Sequence, residues 1–141
     1  MTPGWVWRCE AVFGALSVAV GVALLFGETP LSAGYYGTIR EAFYDGYAMP
    51  AAASRLTAWL LATCGAGVIG WGIAWVYLAL GPLRRGEPWA RRCLALSLLA
   101  WVVADLGAAL SYGVSGEIFF VVAALVAAGV PLAFARANQA D

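Results

Sequence analysis

The chain contains no histidine and no lysine, so all eight of its basic residues are arginines. Histidine is the commonest metal ligand and the usual proton shuttle, and its absence removes the simplest route to both roles. The three cysteines, Cys9, Cys64 and Cys93, form no Cys-x-x-Cys pair, and methionine occurs only at positions 1 and 49. We therefore expect no zinc site, redox dithiol, haem or copper centre, and we predict no cofactor.

Charge of either sign is also scarce, at 11% of 141 residues, whereas 63% of the residues are hydrophobic. Soluble domains carry about 25% charged residues. The net charge is zero and the arginines are scattered, so nucleic acid is not an expected partner. Because a chain of this composition cannot cover its apolar surface in water, we predict an integral membrane protein in contact with the lipid bilayer.

Four long apolar segments predict four transmembrane helices. We place them at about residues 5–26, 54–80, 89–112 and 117–135, within one domain that covers residues 1–141. Each segment approaches or exceeds the roughly 20 residues that a transmembrane helix needs. The short links after the second and third segments make consecutive helices antiparallel neighbours. The predicted fold is therefore all-α, a polytopic membrane protein with an antiparallel four-helix bundle.

The connection between the first two spans, residues 27–53, is longer than the other two. Within it, Thr38 and Glu41 match the capping box that starts many helices, and Ile39 and Phe43 follow at helical spacing. Several tyrosines occur here, and tyrosine is enriched where a membrane meets water. We therefore expect a short helix on the outer membrane interface.

The distribution of arginine predicts the orientation of the spans. Only Arg40 and Arg55 lie on the side that holds residues 27–53. The opposite side holds both termini and six arginines: Arg8, Arg84, Arg85, Arg91, Arg92 and Arg136. Because cytoplasmic loops carry the excess of basic residues, we predict that both termini are cytoplasmic.

Asp105 is the single charge between Cys93 and Gly116. A carboxylate within a membrane is costly, and such residues usually face a bundle interior, a partner or a water-filled cavity. We expect polar stripes on spans two and three to face each other there. The candidate ligand-binding residues are Asp105, Trp101, Tyr112, Trp59, Thr63 and Arg55. The alternative role for Asp105 is structural: a hydrogen bond with Thr63, or an ion pair with Arg55 or a partner subunit.

Small residues mark faces where helices approach closely in a membrane. Ala66, Gly70 and Ala74 form a small-xxx-small ladder on the second span, and the first span offers Gly14 and Gly21. We expect these residues to form a packing seam within the bundle, or else a contact between two copies of the chain.

Glu10 lies about one turn inside the first span, beside Arg8. A carboxylate near a helix N-terminus is stabilised by the helix dipole, and this one can pair with Arg91 or Arg92. The alternative is a proton-coupled carboxylate of the kind used by small multidrug-resistance transporters. The loops of that family are shorter than residues 27–53 of this chain, which argues against membership.

Three stretches carry a resemblance to a known group of proteins. They are Gly70-Trp71-Gly72, residues 81–90 with the sequence GPLRRGEPWA, and residues 101–105 with the sequence WVVAD. Together they resemble a pattern found in small four-span bacterial inner-membrane proteins without an assigned activity. The resemblance covers about a third of the chain, and it implies a fold and no activity. We expect the protein to lie in the bacterial inner membrane.

Catalysis by a nucleophile requires an adjacent base, and Ser97 and Ser111 have none besides Asp105. We therefore do not expect an enzyme. The leading prediction is a membrane protein that binds a hydrophobic small molecule or a membrane partner through the site around Asp105. The alternative is a small secondary transporter that couples to protons through Asp105 or Glu10 and works as a homo-oligomer.

Overall fold

The computed structural model describes residues 3–30 and 32–137, most of which are helical. The helices are α1 (Gly4–Leu25), α2 (Ala33–Tyr44), α3 (Ala51–Leu78), α4 (Pro88–Tyr112), α5 (Ser115–Ala124) and α6 (Val130–Ala137). Two wider π-helical turns, Ala79–Leu83 and Leu125–Gly129, extend α3 and join α5 to α6. No strand occurs in these described residues, so the prediction of an all-α fold is confirmed.

Four of the described helical stretches are long and apolar enough to cross a membrane. They are Gly4–Leu25, Ala51–Leu83, Pro88–Tyr112 and Ser115–Ala135, and they lie within a few residues of the predicted spans. The second is the longest, at 33 residues, because the helix begins directly after Pro50 and continues through the π-helical turn. The protein is therefore a multi-pass membrane protein.

The two π-helical turns lie at prolines. Pro82 is inside the first turn, and Pro131 follows the second turn by two residues. Proline has no N–H to donate to the carbonyl four residues earlier, and its ring would collide with that carbonyl. A single wider turn relieves both problems without breaking the helix. The last apolar segment can therefore cross the membrane as one continuous stretch.

The closest helix pair is α1 with α3, which run antiparallel. Gly14 lies opposite Gly72, and a Cβ atom on Gly14 would be 2.9 Å from the Gly72 carbonyl oxygen. Gly21 lies opposite Gly65 in the same way, at 2.6 Å. The two glycines in each helix are seven residues apart, the spacing that keeps one helix face turned toward a partner over two turns. Only glycine permits this backbone approach.

The predicted small-residue ladder on α3 is not the face that meets α1. Ala66, Gly70 and Ala74 are all exposed, and no atom lies within 4 Å of a Cβ built on Gly70. Each residue turns a helix by about 100°, so Gly70 and Gly72 point to opposite sides. The prediction of a glycine seam within the bundle is confirmed, but the predicted face was wrong.

Helix α2 occupies part of the predicted outer connection. It begins at Ala33, after a turn in which the Thr29 amide donates to Ser32 Oγ at 2.8 Å and the Ser32 amide donates to Thr29 Oγ1 at 3.3 Å. Thr38 lies inside the helix, where its hydroxyl donates to the Tyr35 carbonyl oxygen at 2.8 Å. A helix in this segment was predicted correctly, and its predicted start at Thr38 was wrong.

Helix α2 packs against the beginning of α5. Tyr36 is buried, with 1% of its surface exposed, and the Tyr35 ring centroid is 6.2 Å from that of Phe120. The side chain of Thr38 lies so close to Gly116 that a Cβ atom there would collide with it. Because α2 makes these side-chain contacts, it covers the hairpin between α4 and α5. We call this side of the bundle the α2 end.

The main hydrophobic core begins at the opposite end of the bundle, where the turn between α3 and α4 meets α1 and α6, and it extends to Val102 and Val121. Trp5 of α1 and Phe134 of α6 are in ring contact there, with centroids 5.5 Å apart. We call it the Trp75 end. Its most buried core residues include Trp75, Leu83, Ala90, Leu94, Leu98 and Leu132.

Candidate functional site

Asp105 lies on α4, about two turns before the helix ends at Tyr112. Its side chain is half-buried and lies beside that of Glu117, in the first turn of α5. The chain reverses between them at Gly113, whose positive φ of 71° suits glycine and ends α4. This tight hairpin brings two carboxyl groups together that are 12 residues apart in the sequence.

Tyr35 of α2 adds a phenol to this pair of carboxyl groups. Its side chain lies next to Glu117, and Asp105 is within electrostatic range. Burial raises the pKa of the Tyr35 phenol above its ordinary value, and the negative charges of Glu117 and Asp105 raise it further. The phenol therefore keeps its proton as a hydrogen-bond donor. We call Asp105, Glu117 and Tyr35 the Asp105 cluster.

One oxygen of the Asp105 cluster has no partner. The Oε2 atom of Glu117 is buried, and no hydrogen bond reaches it from the described part of the chain. A buried carboxyl oxygen without a donor is energetically costly. The ion pairs found among the described residues are Arg40–Glu28 and Arg85–Glu87, so none neutralises the cluster. The arrangement places two carboxyl groups side by side and leaves one buried acceptor without a donor from the described residues.

Four of the six predicted site residues do not enclose Asp105. Trp59 and Tyr112 are 63% and 67% exposed, and Thr63 and Arg55 are exposed as well. The Thr63 hydroxyl donates to the Trp59 carbonyl oxygen of its own helix at 3.0 Å, not to Asp105. These side chains therefore do not form the walls of the expected pocket.

Trp101, the remaining predicted residue, is half-buried and belongs to an aromatic cluster nearer the Trp75 end. Its ring centroid is 6.1 Å from that of Trp71, and the Trp71 indole donates to Ser97 Oγ at 2.9 Å. Spans two and three therefore do face each other at this level. Glu117 and Tyr35 were not among the predicted site residues, because their approach to Asp105 depends on the hairpin and on the docking of α2.

Glu10 is a second polar site, separate from the Asp105 cluster. It is completely buried, and the indole of Trp75 donates to its Oε2 atom at 2.9 Å. The sequence predicted Arg91 or Arg92 as its partner, but the donor is Trp75. The Oε1 atom has no hydrogen-bond partner within the described structure. Glu10 is therefore a carboxyl group that is enclosed by protein and only half satisfied.

The Trp75 indole that donates to Glu10 belongs to a cluster of aromatic rings. The Trp75 ring centroid is 4.8 Å from that of Trp71 and 5.3 Å from that of Phe13. Two shallow apolar grooves of about 340 and 320 Å³ run along α1, and neither is lined by Glu10 or Asp105. The two sites thus differ in burial: Glu10 is completely buried, whereas the side chains of the Asp105 cluster are half-buried.

The described residues contain no group of three or more histidine, cysteine, aspartate or glutamate side chains that could hold a metal ion. Neither family models, nor curated proteins, nor solved structures give a match to this chain.

Proposed function

We propose that the protein binds an amphipathic molecule with a cationic head group at the Asp105 cluster. The observation that supports this proposal is that Asp105 lies beside Glu117 and that neither carboxyl group forms an ion pair with an arginine of the described residues. Two adjacent ionised carboxylates repel each other, and a cation between them removes the repulsion. The Tyr35 phenol is hydrogen-bonded to Glu117 and so fixes the position of that carboxyl group.

The position of the cluster favours a ligand that is apolar apart from its head group. Asp105 and Glu117 lie near one end of two membrane-spanning stretches, with exposed apolar side chains such as Phe119 and Leu110 nearby on the same helices. Ligand sites of this kind are mostly apolar and use a few polar groups for orientation. A membrane-protein partner that presents a basic side chain has the same chemistry and is the alternative occupant.

Tetraphenylphosphonium is a suitable probe, because it is a lipophilic cation. We expect purified protein in detergent to bind it in equilibrium dialysis. Asp105→Asn and Glu117→Gln each remove a charge while keeping the shape, and each should weaken binding by about tenfold or more. Tyr112→Phe is the matched control, because its exposed hydroxyl lies outside the cluster.

Unchanged binding in both carboxyl variants would contradict the proposal, as would loss of binding in Tyr112→Phe. If the native protein binds no lipophilic cation but the carboxyl variants lose a copurifying membrane protein, the occupant is a partner and not a small molecule.

A second candidate function, proton-coupled transport, is supported by Glu10. An ionised carboxylate enclosed by aromatic rings without a cation is costly, and Trp75 satisfies only one of its oxygens. Such a group can exchange a proton when the surrounding helices open. We propose that this exchange would drive movement of the cation bound at the Asp105 cluster, in an oligomer that completes the pathway.

Proteoliposomes with an imposed pH gradient distinguish the two functions. Coupled transport requires the gradient to drive tetraphenylphosphonium accumulation, and Glu10→Gln should abolish this accumulation while binding in detergent remains. If accumulation equals that of empty liposomes, the protein is a binding protein without transport. A monomer in mild detergent would also count against the transporter.

We further propose a bacterial inner-membrane location with both termini in the cytoplasm, on the basis of the arginine distribution. In a variant whose three cysteines are serines, a single reporter at Ala48→Cys, in the exposed connection before α3, should react with a membrane-impermeant thiol reagent added outside cells. Labelling of Ala48→Cys only after the membrane is permeabilised would reverse the orientation.

A further inference from the structure

Two arginines from separate parts of the chain meet at one tryptophan at the Trp75 end. The guanidinium carbon of Arg8, in α1, is 5.2 Å from the ring centroid of Trp7. That of Arg84, in the turn between α3 and α4, is 5.0 Å from the same centroid. Because both distances are measured to the same ring, the two guanidinium carbons lie within about 10 Å of each other, and both side chains are exposed.

Neither arginine has an acidic partner within the described residues. The nearby Glu87 receives a hydrogen bond from Arg85 at 2.6 Å and another from Trp89, which together hold the pKa of Glu87 below its ordinary value. Glu10 is buried and faces Trp75. Two neighbouring positive charges without a counter-charge repel each other, so an anion beside both is favoured.

An apolar groove begins at Arg8 and runs along α1. It has a volume of about 320 Å³, and its lining residues are Arg8, Cys9, Val12, Phe13, Leu16 and Ala127. At 1.5 Å per residue, the distance from Arg8 to Leu16 is about 12 Å, close to the roughly 15 Å of one leaflet's hydrocarbon. The groove thus has a charge at the depth of lipid head groups and an apolar surface below it.

We propose that this groove, together with Arg8 and Arg84, binds one anionic phospholipid. The phosphate lies against the two guanidinium groups, whose planar donors match phosphate oxygens, and one acyl chain lies along Val12 and Leu16. A zwitterionic lipid fits less well, because the two arginines repel its ammonium group and Glu87 is already occupied by Arg85. This site is at the opposite end of the bundle from the Asp105 cluster.

Spin-labelled phosphatidylglycerol and spin-labelled phosphatidylcholine test the site directly. The protein is reconstituted in phosphatidylcholine vesicles, and the fraction of each labelled lipid held at the protein is measured by electron paramagnetic resonance. We expect preferential retention of phosphatidylglycerol. The double variant Arg8→Gln/Arg84→Gln should reduce its affinity by roughly tenfold, to the level of phosphatidylcholine.

The matched control is Arg55→Gln/Arg92→Gln, which removes the same charge from exposed positions outside the groove and leaves the Arg85–Glu87 ion pair intact. It should retain the preference for phosphatidylglycerol. An equal loss in both double variants would mean that a diffuse basic surface attracts the lipid, and the proposed site would be rejected. Equal retention of the two lipids by the native protein would also reject it.

The acyl-chain part of the proposal has its own test. Leu16→Trp fills the groove and should reduce retention of phosphatidylglycerol, whereas Val20→Trp, exposed on the same helix outside the groove, should not. Water-soluble glycerol phosphate should fail to displace the lipid. If glycerol phosphate displaces it, or if Leu16→Trp retains it fully, the groove does not hold a lipid chain.

Discussion

The contact between α1 and α3 allows a sharp prediction about two neighbouring glycines. Gly72→Ala places a Cβ atom 2.7 Å from the Gly14 carbonyl oxygen and 2.9 Å from a methyl group of Val18. The same change at Gly70, two residues away, meets no atom within 4 Å. The two variants have identical chemistry in the same helix, so only the packing distinguishes them.

The expected loss in Gly72→Ala follows from these distances. The helices must separate by roughly 0.5–1 Å to restore van der Waals contact, and a gap of that size forfeits a quarter to a half of each contact's attraction along the seam. Overpacking of this kind typically costs about 1–3 kcal/mol. Gly70→Ala should be neutral or stabilising by up to about 1 kcal/mol, because alanine favours helix more than glycine does.

The free energy of unfolding of both variants can be measured by titrating the protein in mild detergent with sodium dodecyl sulfate. Far-ultraviolet circular dichroism reports the fraction unfolded. Gly65→Ala, whose Cβ atom would lie 2.6 Å from the Gly21 carbonyl oxygen, should behave like Gly72→Ala. The reasoning is refuted if Gly72→Ala is as stable as Gly70→Ala, because the seven-residue glycine seam would then contribute nothing to the bundle.

Three further predictions concern single contacts and use the same unfolding measurement. Trp75→Phe leaves the Glu10 carboxyl without its donor and should lower the free energy of unfolding by about 1–3 kcal/mol. Adding Glu10→Leu should recover part of this loss, because the buried polar group is then gone. If nothing is recovered, the loss comes from packing alone. Gly116→Ala should loosen α2 and increase its proteolysis, and Thr38→Ser should restore protection because the methyl group that collides is removed. Tyr36→Phe removes a buried hydroxyl that has no hydrogen-bond partner among the described residues, and it should leave stability unchanged or raise it by up to about 1 kcal/mol. A clear loss would reveal a hydrogen bond to that hydroxyl.

Glu10 and Asp105 differ in the side chains that surround them and in how deeply they are buried. Both were recognisable in the sequence as carboxylates within apolar segments, where their cost makes them candidates for function. Their partners were not recognisable, because Trp75 lies 65 residues from Glu10 and Tyr35 lies in a different helix from Asp105. The burial of each carboxyl group follows from that packing.

The sequence by itself determined the four membrane-spanning segments and the all-helical fold, because a hydrophobic run of sufficient length can satisfy its backbone in a bilayer only as a helix. It also pointed to glycine packing between the first two spans. The heptad spacing of Gly14 with Gly21 and of Gly65 with Gly72 was present in the sequence and would have indicated the correct face.

Only the tertiary structure decided which polar groups meet. The hairpin after α4 brings Glu117 to Asp105, and α2 then brings Tyr35 over both, whereas the predicted walls at Trp59 and Thr63 are exposed. Helical periodicity fixes which residues share a face, but the rotation of each helix about its axis is set by packing against its neighbours. A rotation of one or two residue positions, as between Gly70 and Gly72, turns a predicted contact toward the lipid.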